Sequence, residues 1–463
     1  MIYSDLLAFT IRVLEEIDPD ANYAHNWHLE LMCDYLKEVY LGNIKRLIIN
    51  VPPRSLKSVC ISVAFPAWIL ANFPSEKIIA VSYSKILSQK HSLDCRKVLQ
   101  SNWYKQITNT SIRYGENEKT KFTTMNNGYR FATSTNGTLT GEGGNVIIVD
   151  DPQNPAKIHS KNEREKVNRW FDSVLSSRLN DKNNGKIIVV MQRLHHEDLT
   201  AYLLGKSTSQ WQVLSIPAIE EESRTYKLNN KSYIYRQNGD ILHENRENIR
   251  AVRDVQNEMG SYIFAAQYQQ KPLKESGVID AKWFDFYAPE SVTMDAIYYS
   301  VDTAFGTGKF NDYSVLMQIG EKDNIFYIMN IARERLTYPR LKKLILAKIA
   351  TEKIHAMLIE DKNIGSSLIQ EIKSQTNCSV ISINPKQDKH TRVANCLNCF
   401  ESKRVFIQEN QEWNQSFLTE ISTFPENSHD DQVDALTQFI NWKMAHKTAT
   451  KHPRLRSISL SID

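Results

Sequence analysis

The stretch Leu47-Ile48-Ile49-Asn50-Val51-Pro52-Pro53-Arg54-Ser55-Leu56-Lys57-Ser58 runs from an apolar strand into a tight turn that closes on Lys-Ser. That is the outline of a phosphate-cradling loop, with the Lys57 ammonium aimed at the β- and γ-phosphates of a nucleotide and the Ser58 hydroxyl at Mg²⁺. It departs from the usual G-x-x-x-x-G-K-[ST] pattern, since Val51 and Leu56 stand at the two glycine positions. Alone, Lys-Ser after a strand also reads as a surface turn. A second apolar strand, Val146-Ile147-Ile148-Val149, ends in the paired acids Asp150-Asp151. Loop and acid strand are the two halves of a nucleotide site, and together they point to an ATPase.

Around that stretch, residues 1–45 read as helical, with apolar positions at helical spacing in Leu6-Leu7-Ala8-Phe9 and from Leu29 to Leu36. Apolar runs at 46–51, 77–81, 146–149 and 186–191 alternate with helical patterns, which predicts an α/β domain with a mainly parallel sheet covered on both faces. Periodicity weakens over 221–275, read as a connector. A β-rich pattern follows at 296–301, 314–319 and 325–331, broken by Glu321-Lys322-Asp323-Asn324 and similar turns, and predicts an antiparallel meander. A helix near 339–352 and a strand at 356–359 come next. The expected organisation is an ATPase domain over 1–220, the connector, a second domain over 276–445 and a basic flexible tail over 446–463.

Composition bounds these readings. With 463 residues, 41% of them hydrophobic and 24% charged, the chain can build two or three cores. A net charge of +4 neither demands nor excludes nucleic acid, so any basic footprint has to be local. Met1 leads into a mixed segment unlike a signal peptide. The longest apolar run, 59–71, is too short for a bilayer and contains Pro66; the expectation is a soluble, cytosolic protein without a membrane partner. Six cysteines form no disulfide framework. Cys396 and Cys399 have C-x-x-C spacing, but no second Cys or His pair lies nearby and the segment reads as helical, so half-buried core is the expectation.

Nucleotide hydrolysis needs charge on the phosphates neutralised, a metal, an aligned water and a sensor of the γ-phosphate. Lys57 and Ser58 meet the first needs, Asp150 is placed to hold Mg²⁺, and Asp151 to polarise water. Gln192-Arg193, after the strand at 186–191, can sense the γ-phosphate. Arg54 and Arg178 are candidates for a charge-stabilising finger, Arg178 also reading as solvated surface. His25-Asn26-Trp27-His28 offers an adenine stack, or core.

In the second half, Asp302 and Glu360 each end a strand, and Asp430-Asp431-Gln432-Val433-Asp434 opens a helix. Asp430 and Asp434 share one helical face. Acids ending two strands, plus an acidic helix start, meet the needs of a two-metal phosphodiesterase, in which hard cations bridge a phosphate.

This ordered set resembles the large terminase subunit of tailed bacteriophages, from about residue 25 to 445. The resemblance rests on the loop Pro52 to Ser58, Thr138-Leu139-Thr140-Gly141-Glu142-Gly143-Gly144 leading into Asp150-Asp151-Pro152, and Gln192-Arg193-Leu194-His195. It continues through Phe264-Ala265-Ala266-Gln267-Tyr268-Gln269-Gln270-Lys271-Pro272 to Asp302, Glu360 and His429-Asp430-Asp431. It implies an N-terminal P-loop NTPase and a C-terminal ribonuclease H-like nuclease, driving ATP-dependent translocation of viral duplex DNA into procapsids and cutting concatemers. Pro53, Arg54, Ser55, Leu56, Lys57 and Ser58 would then hold ATP, with Ser58 and Asp150 on Mg²⁺, Asp151 as catalytic carboxylate and Gln192-Arg193 as coupling motif. Asp302, Glu360 and one or both of Asp430 and Asp431, with Asp434 as a further candidate beside them, would hold Mg²⁺ or Mn²⁺. Implied partners are double-stranded DNA, the portal or procapsid, a small terminase subunit, and other copies in a ring on the portal, with a monomer in solution. The implied location is the host bacterial cytoplasm, with transient docking on the procapsid.

Leu56 would crowd the backbone approach to phosphate unless the loop tilts. Asp151 is one methylene shorter than the glutamate of many relatives. A basic strip of Lys386, Lys389, His390 and Arg392 would either grip DNA phosphates or form an ordinary solvated face. Two other readings are a helicase or repair nuclease, which would bring a second motor core, and a non-catalytic prophage remnant binding the portal, which would have lost Lys57 or the acids.

Overall fold

The computed structural model describes residues 4–20, 23–139, 141–206, 210–227, 233–274, 277, 279–303, 313–362, 364–385, 387–427 and 429–450. The chain divides into two units, Met1–Leu273 and Lys274–Asp463.

In the first unit, β1 (Arg46–Asn50), β2 (Lys77–Ser82), β3 (Ile112–Asn117), β4 (Lys121–Thr124), β5 (Tyr129–Ser134), β6 (Val146–Asp150), β7 (Lys186–Met191) and β8 (Gln212–Ser215) form one sheet in the order β3-β4-β5-β2-β6-β7-β1-β8. From β5 to β8 every pairing is parallel; β3 and β4 add an antiparallel edge. The central strands are apolar through their middles because both faces are covered, and successive residues feed two separate cores. Leu47, Ile49, Ile148 and Val190 meet the helices Leu6–Ile17, Trp27–Leu41, Phe65–Asn72 and Lys85–Gln100. Ile48, Ile147, Val149 and Val189 meet the layer that carries Trp170, Phe171 and Leu203. Residues read as a connector belong to this unit. They form the hairpin of β9 (Arg224–Lys227) and β10 (Tyr233–Arg236) and the helices Ile249–Met259 and Ser261–Gln267.

In the second unit, β11 (Asp285–Tyr287), β12 (Ala296–Asp302), β13 (Ser314–Lys322), β14 (Ile325–Glu334), β15 (Ala356–Glu360), β16 (Val380–Ile383) and β17 (Val405–Gln408) form a mixed sheet ordered β11-β17-β14-β13-β12-β15-β16. The meander β12-β13-β14 is antiparallel and the remaining pairings are parallel. Tyr299, Val301, Met357 and Ile359 pack on the helices Tyr338–Thr351 and Ile364–Gln375. On the opposite face lies the helix Asp431–Thr450, whose Phe439 ring meets Tyr298 and Phe326, each at 5.2 Å. Ser300 Oγ donates to the Ala435 carbonyl at 2.6 Å, and Gln438 Nε2 donates to Ser300 Oγ at 3.0 Å, pinning the start of that helix to β12. Cys396 and Cys399 are fully buried core, deeper than their spacing predicts. Among the described residues, no helix is long and apolar enough to cross a membrane.

Candidate functional site

The loop after β1 is built from left-handed backbone. Arg54 and Leu56 both have φ of +62°, a region costly for any residue with a Cβ. Leu56 packs against the core cluster under β1 and at the same time lines the cavity beside the loop. Beneath the loop, the buried His28 Nε2 donates to the Ser55 carbonyl at 3.2 Å, and Ser55 Oγ donates to the Pro52 carbonyl at 2.7 Å. Burial pushes the His28 imidazole down to about 4, so it holds the loop as a neutral donor. His28 is thus a floor for the loop. Trp27 packs on Tyr226, with ring centroids 5.1 Å apart, as part of the core.

Sheet order converges the remaining groups. β7 lies between β1 and β6, so Gln192, following β7, stands between Lys57 and the acid pair ending β6. Lys57 Nζ donates to Gln192 Oε1 at 2.6 Å and lies 3.4 Å from Asp151 Oδ2. Ser58 Oγ donates to Asp150 Oδ1 at 3.2 Å, and Ser62 Oγ donates to Asp150 Oδ2 at 2.7 Å. Ser62 reaches the acid from a wide π-helical turn, Val59–Ala64, of the kind that recurs at functional sites. His91 Nδ1 lies 3.5 Å from the same Oδ2. Burial raises the Asp150 carboxyl against the pull of Ser62 and Lys57, and pushes Asp151 up to about 6. A cavity of about 540 Å³ opens beside the loop, lined by Tyr23, Arg54, Lys57, Ser58, His243 and Arg246. Arg246 Nη1 donates to the Arg54 carbonyl, while the Arg54 residue is exposed. Pro53 faces a smaller recess shared with His28 and His243.

Arg193 turns away from this cluster. Its Nε donates to Asp198 Oδ2 at 2.8 Å, and its backbone N–H donates to Gln270 Oε1 at 2.9 Å. Arg178 is half-buried and donates to the Leu139 carbonyl at 3.4 Å.

The second cluster follows from strand register. Val301 pairs with Ile359 in parallel, so Asp302 and Glu360 end neighbouring strands side by side. Both alternate away from the core of Tyr299 and Ile359, onto the face of the helix Asp431–Thr450. The Asp302 carboxyl is held far above the usual range, first by burial and then by the charges of Asp434, Glu360 and Asp431. Burial also raises Asp431 and Asp434. Asp430 sits at the rim, paired with Lys389 Nζ at 2.5 Å. Asp361 points elsewhere, accepting from Ser366 and Ser382, each at 2.6 Å. Crowded, partly desolvated carboxylate oxygens are a donor set suited to hard divalent ions, as are Ser58 and Asp150 in the first unit.

The basic strip is not a free solvated face. Lys389 Nζ also lies 2.9 Å from Asp434 Oδ2, and Arg392 Nη2 lies 3.1 Å from Asp434 Oδ1. The His390 ring is 5.6 Å from that of Phe424; Lys386, the tail from 451 and Thr140 of the quoted run lie outside the described residues. Sequence reasoning missed His91, Ser62, Lys362 (2.7 Å from Glu360) and Arg333 (3.5 Å from Asp431), none of which stands in a motif.

Residues 299–443 match the family model described as the terminase RNase H-like domain. The matched stretch lies within the second unit, from β12 to the helix Asp431–Thr450. Among solved structures, the large terminase of a thermophilic bacteriophage in complex with ADP is 11% identical, with 88% of this chain and 98% of that chain covered and a TM-score of 0.49. The large terminase of bacteriophage HK97 is 12% identical, covering 94% and 98% at a TM-score of 0.39. The large terminase nuclease of thermophilic phage G20c with bound magnesium is 15% identical, covering 36% and 97% at a TM-score of 0.27. None of the curated proteins compared matches the sequence.

Proposed function

We propose that the chain is a DNA-packaging motor subunit, in which the unit Met1–Leu273 hydrolyses ATP to translocate viral double-stranded DNA and the unit Lys274–Asp463 cuts concatemers. The observation that carries the reading is the pairing of two constellations in one chain: a lysine-serine loop facing paired acids, and strand-end and helix-start carboxylates that act on one another's charge in a domain matching the terminase RNase H-like model.

In the first unit, Lys57 neutralises the β- and γ-phosphates and Ser58 and Asp150 hold Mg²⁺. Tyr23 and His243 offer flat faces to the adenine from the cavity wall. Asp151, with its carboxyl near 6, is matched to accepting a proton from the attacking water near neutral pH. Arg54, exposed at the loop tip, is the finger candidate. Gln192 is released from Lys57 when the γ-phosphate takes its place, and Arg193 passes that change to Gln270, three residues before the unit ends at Leu273.

In the second unit, Asp302, Glu360, Asp431 and Asp434 would hold Mg²⁺ or Mn²⁺, with Asp430 at the rim. Bound divalent ions would supply a nucleophilic water and offset charge on the leaving oxygen. DNA is gripped by phosphate contacts, as a motor indifferent to sequence requires. The partners would be the portal or procapsid, a small terminase subunit and further copies in a ring, met in the host cytoplasm.

The test is plasmid cleavage with Mn²⁺ by wild type and Asp302→Ala, with ATP hydrolysis measured in parallel. Cleavage by wild type alone, with hydrolysis intact in both, is expected. Cleavage by the variant, or loss of hydrolysis with it, would sink the reading of two independent sites.

A further inference from the structure

The acid cluster of the second unit is held by cations that belong to the chain itself. Asp434 has both oxygens engaged, Oδ2 by Lys389 Nζ at 2.9 Å and Oδ1 by Arg392 Nη2 at 3.1 Å. Lys389 also reaches Asp430 Oδ1 at 2.5 Å, so one ammonium bridges two carboxylates of the first helical turn. Among the charges acting on Asp302, it is also the cation that opposes Asp434, Glu360 and Asp431.

Lys389 is firmly anchored at its backbone. It opens the helix Lys389–Glu401, whose capping residue Asp388 accepts from the Thr391 N–H at 3.1 Å and from Thr391 Oγ1 at 2.9 Å. Its side chain is 33% exposed, against 13% for Arg392. A flexible, strongly hydrated ammonium at the rim can swing into water at small cost, whereas the enclosed guanidinium cannot.

We propose that Lys389 is a tethered cation occupying, in the metal-free chain, carboxylates on which a divalent ion would sit, so that metal loading proceeds by displacing it. The inference rests on the metal-nuclease reading of the cluster. An ion carrying two charges wins the carboxylates from an ammonium carrying one, but its apparent affinity is lowered by the fraction of chains in which Lys389 is seated. Displaced, Lys389 remains at the rim with its charge free for a DNA phosphate.

Mn²⁺ binding to the full-length, nucleotide-free protein, followed by calorimetry, tests this with wild type, Lys389→Met and Asp302→Asn. Lys389→Met is expected to bind Mn²⁺ about tenfold more tightly, as it would if the seated form were about nine-tenths of the population. It is also expected to melt lower than wild type in EDTA and to recover with Mn²⁺. In wild type, acetylation of Lys389 by an N-hydroxysuccinimide ester, read by peptide mass spectrometry, should rise several-fold on adding Mn²⁺. This second measurement does not depend on any variant folding. Equal or weaker binding by Lys389→Met, or unchanged acetylation, overturns the role of Lys389 while Asp302→Asn still removes one Mn²⁺ binding event from the wild-type isotherm. An isotherm left unchanged by Asp302→Asn overturns the metal-site reading itself, and this inference with it.

Discussion

Lys57 Nζ donates to Gln192 Oε1 at 2.6 Å, so the loop ammonium is engaged by the strand beside it before any phosphate arrives. A γ-phosphate and Gln192 compete for one donor, which ties nucleotide occupancy to the position of β7. Replacing Gln192 with Leu removes the competitor. A hydrogen bond to a charged group contributes roughly 1.5–3 kcal/mol, so affinity for ATPγS should rise several-fold or more. Turnover should fall, because the residue that responds to the phosphate is gone. Fluorescent-nucleotide titration beside steady-state hydrolysis separates the two effects; weaker binding would show that Gln192 positions Lys57 rather than competing for it.

Lys57→Ala should abolish hydrolysis in the full-length chain while Mn²⁺-dependent plasmid cutting persists. The two clusters are built on separate sheets. Loss of both activities together would contradict the division of labour.

The left-handed conformation of Leu56, with φ of +62°, costs roughly 1–2 kcal/mol, and the packing of its side chain on the core offsets it. Leu56→Gly should therefore leave the unfolding free energy within about 1 kcal/mol of wild type and retain hydrolysis. Leu56→Ile, β-branched in the same conformation, should destabilise the loop and raise the KM for ATP. Denaturant unfolding and KM measurements on both variants decide it, and an Ile variant that behaves like wild type would remove the claim of strain.

Asp302 is crowded by three carboxylates in a desolvated site, so its ionised form is disfavoured. Asp302→Asn should lose cleavage by at least a hundredfold, and in EDTA it should melt higher than wild type because one buried repulsion is gone. A lower melting temperature would mean that the carboxylate is satisfied by neighbours and is not strained.

His28, pushed down to about 4 by burial from an ordinary value near 6.5, stays neutral in the fold while the unfolded chain takes up a proton. Stability from this group is therefore complete above about pH 6.5 and lost as pH falls toward 4. The stability gap between wild type and His28→Gln should shrink by about 2 kcal/mol from pH 7 to pH 5, measured by urea unfolding. A gap independent of pH would place the imidazole in contact with solvent.

Much of this chain was legible without coordinates. Strands 46–51, 77–81, 146–149 and 186–191 declared themselves because a strand buried on both faces carries a near-continuous apolar run, and the lysine-serine loop and strand-ending acids are local patterns. The strands β3, β4 and β5 escaped the reading: β3 is a mostly exposed edge, and in β5 Arg130, Thr133 and Ser134 are polar residues buried by neighbours far along the chain. Asp302 and Glu360 were each visible as a strand end, yet only the parallel register of Val301 on Ile359 made them one site. Likewise Gln192 reaches Lys57 because β7 is inserted between β1 and β6, and Lys389 meets Asp434 because two helices separated in sequence abut at their first turns. Residue type and spacing act over a few positions, and so the sequence by itself determined the elements and the chemical groups they carry. Sheet order, register and the partner of each charge depend on contacts between distant segments, and only the tertiary structure decided those.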